Sequence, residues 1–192
     1  MVIIAEKNGG LPYKFILGEL PRQKDEWFVD ASSSYGFGGI CGNFYFQISN
    51  ETFEAFLKQR KFGILSKLFI AFRELLAALF AFHVFSRFTP CSLLRLNSDN
   101  TNAVIWLNKG RCSKRLGFLI LSAIEFYKAK YGLKVKTAYI KSSHNTSADA
   151  LSRGRIPYWL KVRGKELKVD LSNIIELINN PLPFWKKMRN PF

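Results

Sequence analysis

The sequence predicts an α/β fold: a mixed five-stranded sheet, with three antiparallel strands followed by parallel additions, and helices packed on it. Short apolar runs bounded by glycine-containing turns dominate residues 26–49, which is typical of consecutive strands. From residue 68 onward, longer apolar runs with helix start and stop signals alternate with further strand-like runs. An apolar content of 48% over 192 residues is enough to bury one sizeable core.

Three strands are predicted at the start of the sheet. The fragments "EWFVDAS", "GFGGICGN" and "NFYFQIS" follow one another closely, and Gly42-Asn43 between the last two is a hairpin signal. We therefore expect these strands to pair antiparallel. The stretch from Glu51 to Lys67 is compatible with either an amphipathic helix or a loop insertion.

An apolar helix containing Glu74 is predicted over Leu68 to Phe82. Its 15 residues are interrupted by Arg73-Glu74, so it falls short of the roughly 18 uninterrupted apolar residues that a membrane span needs. We expect a helix buried in the core and no membrane partner. The fragment "SLLRLNS" then predicts a strand that ends at Asp99.

Helix and strand signals alternate through the second half. One helix is predicted from Asn100 or Thr101 to Gly110, and a second is predicted from a cap at Ser113 to Gly132. The fragment "LKVKTAYIKSS" predicts the last strand, and "NTSADALSR" opens a final helix at its first or second residue. This order of elements indicates a mixed sheet covered by helices.

The domain organisation is predicted from the same signals. Residues 1–25, punctuated by glycine and proline, are expected to connect the domain to a preceding module. Residues 26–155 form the predicted domain. Residues 156–192 are expected to be a C-terminal tail, with a helix and an extended segment lying on the domain surface.

The charge balance indicates a polyanionic partner. Twenty-nine basic residues against 14 acidic ones give a net charge of +15. Nucleic acid is the first candidate partner and an anionic membrane surface the second, while a merely soluble basic protein is the alternative. The three cysteines, Cys41, Cys91 and Cys112, show no C-x-x-C pair, so we expect an intracellular, reduced protein without a disulfide framework or zinc site.

Four acidic residues end or interrupt apolar runs: Asp30, Glu74, Asp99 and Asp149. An unpaired charge in such a place costs several kcal/mol of desolvation. If the four carboxylates lie together, each pair also repels by about 4 kcal/mol at 4 Å separation and an effective dielectric constant near 20. A pair of divalent cations would stabilise such a cluster.

Each acid also has a simpler interpretation. Glu74 beside Arg73 is compatible with a surface ion pair on a helix edge. Asp99 is compatible with a helix N-cap, and Asp149 with an ordinary acidic residue in a helix first turn.

Four fragments in this order resemble the ribonuclease H domain of retroelement reverse transcriptases. They are "VDASSSYGFGG", "RELLAAL", "SDNTNAVIWLNKG" and "NTSADALSR", and the likeness runs from about Trp27 to Gly154. The blocks after the third acid are most similar to DIRS-like elements, with gypsy-type elements next. The resemblance implies a ribonuclease H-like fold and hydrolysis of the RNA strand of an RNA-DNA hybrid.

The resemblance also implies catalytic, metal-binding roles for the four acids. Asp30 would bridge two Mg²⁺ ions, Glu74 and Asp99 would hold one ion, and Asp149 would hold the other. All-oxygen ligands do not distinguish Mg²⁺ from Mn²⁺. The implied partners are an RNA-DNA hybrid and a reverse transcriptase polymerase domain in the parent protein.

Substrate binding is predicted for two groups of residues. Clustered basic residues would bind phosphates without reading sequence, namely Lys109, Arg111, Lys114 and Arg115. Ser32, Asn100 and Asn145 are polar neighbours of the acids that could contact sugar hydroxyls, which distinguish RNA from DNA.

The chain departs from the family pattern in two places. Tyr139 stands ten residues before Asp149, where gypsy-type relatives have a histidine, and His144 is the nearby histidine that we consider as a proton shuttle. Residues 51–67 are longer than a minimal domain requires. The alternative function is a catalytically silent ribonuclease H-like module that binds nucleic acid or protein. Four retained acids argue against it, because a module that only binds has no need of mutually repelling carboxylates.

Overall fold

The computed structural model of the chain describes residues 25–59, 69–89 and 93–180, together with the backbone of two short strands at residues 2–4 and 14–16. The strands are β1 (Val2–Ile4), β2 (Lys14–Ile16), β3 (Asp25–Ala31), β4 (Gly36–Cys41), β5 (Phe44–Ser49), β6 (Leu93–Ser98), β7 (Lys134–Tyr139) and β8 (Lys165–Glu166). The helices are α1 (Asn50–Gln59), α2 (Ile70–Phe85), α3 (Thr101–Lys109), α4 (Arg115–Tyr131), α5 (Thr146–Ser152), α6 (Tyr158–Arg163) and α7 (Leu171–Asn179), with short 3₁₀ turns at Ser86–Phe88 and Ser142–His144.

The main sheet has six strands in the order β7-β6-β3-β4-β5-β8. Strands β3, β4 and β5 pair antiparallel, which confirms the predicted hairpin succession. Strands β6, β7 and β8 each pair parallel to a neighbour. The α/β class and the mixed sheet are therefore as predicted, but the predicted number of five strands was wrong. Strands β1 and β2 form a separate antiparallel pair.

The sixth strand comes from the segment that was expected to be a surface tail. Its backbone pairs with the start of β5, where Phe44 lies opposite Lys165. Farther along, α7 buries Ile174 and Leu177 in the main core, so the surface placement was also wrong. An apolar face at helical spacing in "LSNIIELIN" explains this burial, since such a face is stable only against other apolar groups.

The main core lies on one face of the sheet. Trp27 and Val29 of β3 point into it and are fully buried. Helix α2 crosses this face, and Phe82 meets the Trp27 ring edge to face at a centroid distance of 5.2 Å. Because both faces of α2 are covered, its apolar run is nearly continuous instead of following one stripe.

A second, smaller apolar cluster lies on the opposite face, under α5 and α6. It contains Ile40, Tyr45, Leu151 and Leu160. Helix α5 approaches the sheet closely at Gly38, where a Cβ atom would come within 2.5 Å of the Leu151 Cβ. Only glycine permits this approach.

Local signals set most helix ends. Asn100 caps α3, since its Oδ1 accepts a hydrogen bond from the Ala103 N–H at 3.1 Å, and Gly110 ends the helix at φ 61°. The predicted cap at Ser113 was wrong. Helix α4 begins one residue later, because the Lys114 carbonyl oxygen accepts the first helical hydrogen bond, from Phe118 at 3.0 Å.

Two further predictions, on residues 51–67 and on membrane spans, are tested only over the described residues. Residues 50–59 form helix α1, while residues 60–67 of the predicted insertion lie outside the described residues. Within the described part of the chain, no helix is long and apolar enough to cross a membrane.

Candidate metal centre

Asp30 and Asp99 lie side by side because two parallel strands end together. Phe28 of β3 pairs with Asn97 of β6, and two residues farther along each strand brings Asp30 beside Asp99. Glu74 reaches the same point from the second turn of α2. Carboxylate oxygens of these three residues lie within 4.8 Å of one another.

Two members of this cluster are buried. Asp30 is 5% exposed and Glu74 is 3% exposed, so the interpretation of Glu74 as half of a surface ion pair was wrong. The Glu74 Oε1 accepts a hydrogen bond from the Ala31 N–H at 3.2 Å. Its Oε2 is buried and has no hydrogen-bond partner among the described residues. Such an atom is costly unless another group completes its coordination.

The buried carboxylates repel each other and resist ionisation. Burial is the main cause that raises the pKa of Glu74 to about 9, and the Asp30 and Asp99 carboxylates act in the same direction. Burial also raises the pKa of Asp30 to about 6, with the hydrogen bond from Ser152 opposing and the Asp99 and Asp149 charges adding to the rise. A bound cation would favour the ionised forms of both groups.

Two serine hydroxyls orient the aspartates. The Ser152 hydroxyl donates to Oδ2 of Asp30, and the Ser142 hydroxyl donates to Oδ2 of Asp99 at 2.5 Å. Asn100, not Asp99, caps α3, so the interpretation of Asp99 as an N-cap was wrong and its carboxylate faces the cluster.

Asp149 lines the same pocket but stands apart from the three-acid cluster. The pocket has a volume of about 350 Å³ and is lined by all four acids. Oδ1 of Asp149 accepts a hydrogen bond from the Arg153 Nε at 2.7 Å, and its Oδ2 lies 3.8 Å from an Arg155 nitrogen. Asp149 lies in the first turn of α5, as its simpler interpretation has it. A role as a metal ligand would require it to exchange Arg153 for a cation.

Arg73 fixes the position of the loop that borders the pocket. One Arg73 nitrogen donates to the Ser32 carbonyl oxygen at 2.9 Å and also to the Asn50 side chain. Its guanidinium carbon lies 4.5 Å from the centre of the Phe37 ring. These contacts hold residues 32–35 at the mouth of the pocket.

The three polar residues predicted to contact sugar hydroxyls are in different positions. Ser32 and Asn100 line the acidic pocket. Both also make local hydrogen bonds, since the Ser32 hydroxyl accepts from the Ser34 N–H at 3.2 Å and Asn100 caps α3. Asn145 is 1% exposed and lines a neighbouring cavity instead, together with His144.

The predicted basic cluster is exposed. Lys109, Arg111, Lys114 and Arg115 lie where α3 ends and α4 begins. Helix α3 starts beside Asp99 and has nine residues, so the cluster is about 13 Å from the acids along the helix. These residues can therefore contact a polyanion that extends beyond the pocket, although they do not line it.

Sequence reasoning missed three residues that contact the acids of the pocket. Ser142, Ser152 and Arg153 contact the acids but were given no role. A signal existed for two of them, because Ser152 and Arg153 follow Asp149 by three and four residues and therefore share its helix face. No local signal pairs Ser142 with Asp99.

The donor set fits a hard divalent cation. It consists of carboxylates alone, which suits Mg²⁺ and Mn²⁺, and the unpartnered Glu74 Oε2 supplies a free ligand atom. The chain matches no protein-family model, no curated protein and no solved structure. Its function is therefore inferred from the chemistry of this site.

Proposed function

We propose that the protein is a ribonuclease H with a ribonuclease H-like fold, which hydrolyses the RNA strand of an RNA-DNA hybrid during reverse transcription of a retroelement. The observation that carries the proposal is the cluster of Asp30, Glu74 and Asp99 at the ends of two parallel strands, with a buried Glu74 oxygen free to bind a cation. The net charge of +15 supports a nucleic-acid substrate.

Each acid has a role that follows from its position. Asp30, Glu74 and Asp99 would hold one divalent ion, and Asp30 with Asp149 would hold a second. When bound, the ions would supply the charge that activates a water and stabilises the departing 3′ oxygen. The water gives up a proton to solvent as its oxygen forms a bond to phosphorus, the P–O3′ bond breaks, and the departing oxygen takes up a proton from solvent, so the products carry a 5′ phosphate and a 3′ hydroxyl.

Chain residues other than the acids would position the substrate. Ser152 and Ser142 hold the Asp30 and Asp99 carboxylates in place. Arg153, displaced from Asp149 by a cation, would remain in the pocket to contact a phosphate. The Lys109–Arg115 surface would bind phosphates farther along the hybrid.

Cleavage of a labelled RNA-DNA hybrid tests the proposal. We expect the RNA strand to be cut with Mg²⁺ or Mn²⁺, no cutting of duplex DNA, and loss of cutting in Asp99→Asn. Glu176→Gln, which changes an exposed acid on α7, is the matched control and should cut normally. Hybrid binding without cutting under either metal would favour the silent binding module, or a domain that needs the polymerase domain of its parent protein.

Salt dependence tests the basic surface separately. Changing both Lys109 and Arg115 to Ala should weaken hybrid binding and flatten the plot of log affinity against log salt, by about 1 for each lost phosphate contact. Lys58→Ala, an exposed change on α1, should leave the slope unchanged.

A further inference from the structure

A second cavity lies beside the acidic pocket, on the sheet face that α5 covers. It has a volume of about 230 Å³ and shares no lining residue with the acidic pocket. Phe28 and Ile40 contribute from the sheet, Asn145 contributes from the residue before α5, and Ala148 and Trp159 contribute from α5 and α6. Phe28 precedes Asp30 by two residues on β3, so the cavity begins about 7 Å from the acidic cluster along the strand.

Asn145 lines this cavity and has an unused hydrogen-bond acceptor. Its Nδ2 donates to the Val29 carbonyl oxygen at 2.9 Å, which fixes the orientation of the amide, because a flipped amide would set two acceptors against each other. Its Oδ1 is buried and has no partner among the described residues, although the residue is only 1% exposed. Leaving such an acceptor unpaired is unfavourable, so a ligand that brings an N–H donor is favoured.

The other walls suit a flat aromatic ligand. Trp159 remains 42% exposed, and Phe28 is half-buried. A cavity of about 150 Å³ is large enough for benzene, so about 230 Å³ is large enough for a somewhat larger ring. A planar ring that stacks on an aromatic side chain and carries an N–H donor describes a nucleobase.

The surrounding charge favours a nucleic acid as the source of this ring. Helix α6, which carries Trp159, also carries Lys161 and Arg163, and both are exposed. Arg155 precedes this helix and is 69% exposed at its side chain. These exposed cations lie within four residues of Trp159 in the chain and would favour binding of a phosphate backbone.

We propose that the cavity between β3, β4, α5 and α6 seats an unpaired nucleobase of the strand that is bound at the acidic cluster. The base is unpaired because its Watson–Crick N–H groups must be free to donate to Asn145. This inference rests on the proposed function and adds a subsite to it: hybrids with a single-stranded overhang are bound more tightly than blunt ones.

Binding without divalent cations tests the subsite independently of cutting. The probes are blunt RNA-DNA hybrids and the same hybrids with a short overhang that carries 2-aminopurine, a fluorescent base with an amino group. A third hybrid has an abasic overhang, which keeps the phosphates and removes the bases. We expect the 2-aminopurine overhang to bind about tenfold more tightly than the abasic one and its fluorescence to be quenched on binding.

Two variants on α6 make a matched pair. Trp159→Ala removes the stacking wall and should abolish both the tenfold gain and the quenching, while binding of the blunt hybrid stays the same. Tyr158→Ala changes the adjacent aromatic residue, which is 82% exposed and does not line the cavity, and should retain both. An overhang with purine, which lacks the amino group, should lose part of the gain.

Three outcomes separate the subsite from the ribonuclease proposal. Equal affinity for base-bearing and abasic overhangs, or an unchanged gain in Trp159→Ala, would overturn the subsite while leaving the ribonuclease proposal intact. If no hybrid binds here and none is cut with Mg²⁺ or Mn²⁺, the ribonuclease proposal fails, and a 2-aminopurine single strand decides the subsite alone. Quenching of that strand that is lost in Trp159→Ala would support a base site, and no quenching would overturn it.

Discussion

Ser152 on α5 donates a hydrogen bond to the Asp30 carboxylate on β3, across 122 positions of the chain. This contact joins the helix that carries Asp149 to the strand that carries the central acid. It also favours the ionised form of Asp30, whose pKa burial would otherwise raise further. The position of α5, which carries this serine, therefore affects how readily the Asp30 carboxyl ionises and binds a cation.

Replacing Ser152 by alanine should weaken cation binding most at low pH. Without the hydroxyl donor, a proton competes more strongly with the cation for Asp30, so Mn²⁺ affinity measured by calorimetric titration should fall several-fold at pH 6 and less at pH 8. Ser143→Ala, an exposed change in the neighbouring 3₁₀ turn, is the control. Equal Mn²⁺ affinity of Ser152→Ala and the unchanged protein at pH 6 would contradict the role of this hydrogen bond.

Replacing Glu74 by glutamine should stabilise the metal-free protein at pH 8 and abolish cutting. The pKa of Glu74 is raised from 4.5 to about 9 in the folded state, so folding binds a proton between these values and the free energy of unfolding falls as pH rises. Glutamine removes this loss, which amounts to several kcal/mol at pH 8.

Urea denaturation in chelator at pH 5 and pH 8 measures the effect. The unchanged protein should lose stability between the two pH values and regain it with Mg²⁺, whereas Glu74→Gln should show little of either change. Glu54→Gln, an exposed change on α1, should behave as the unchanged protein. A Glu74→Gln variant less stable than the unchanged protein at pH 8 without metal would show that Glu74 is not destabilising there.

Replacing Gly38 by alanine should displace α5. The new Cβ would lie 2.5 Å from both the Leu151 Cβ and the Ser152 backbone nitrogen, so the helix must move away from the sheet. We expect a loss of about 1–3 kcal/mol in the free energy of unfolding, as for other overpacked sites. The rate of hybrid cleavage should fall by more than the loss of folded protein explains, because Asp149 and Ser152 move with the helix.

A change at Gly42 provides the control for Gly38. Gly42 has φ 55° and open space around its Cβ position, so Gly42→Asn should cost little, since asparagine tolerates this backbone region. Full activity of Gly38→Ala together with unchanged stability would mean that α5 adjusts without moving the site.

The contact between His83 and α7 predicts acid sensitivity. The His83 Nε2 accepts a hydrogen bond from the Asp170 N–H at 3.3 Å, and its Nδ1 lies 2.8 Å from the Tyr127 hydroxyl. Burial lowers the pKa of His83 to about 4, with the Asp170 charge opposing and the Arg87 and Lys130 charges adding to the fall. The unfolded chain therefore binds more protons between about pH 6.5 and 4.

The contribution of His83 to stability should consequently fall as the pH drops through this window, whereas the raised pKa values of Asp30 and Glu74 act in the opposite direction. The expected loss from His83 alone is about 3 kcal/mol, for a shift of 2.5 pH units, so the stability of His83→Gln relative to the unchanged protein should rise by this amount between pH 6.5 and pH 4. Urea denaturation at pH 6.5, 5 and 4 measures it, and Tyr127→Phe tests the partner hydroxyl. An equal slope in His83→Gln would assign the acid sensitivity to other groups.

The candidate site was predictable in composition but not in arrangement. All four acids line one pocket, and their order in the chain was visible from the fragments around them. The division into a three-acid cluster and an Asp149 held by Arg153 was not, because it depends on side-chain distances between distant elements. The orientation of the Asn145 amide is likewise set by the Val29 carbonyl oxygen, 116 positions away.

The sequence by itself determined the structural features that depend on residues close together along the chain. Turn glycines, helix caps and apolar periodicity act over a few residues, so the β4–β5 hairpin, the Asn100 cap and the Gly110 and Gly132 helix ends were predictable. Tertiary structure decided what depends on packing. Strand β8 is only two residues long and has no pattern of its own, and it exists because the β5 edge offers hydrogen bonds. The same holds for α7, whose apolar face became core only because α4 leaves it a place to pack.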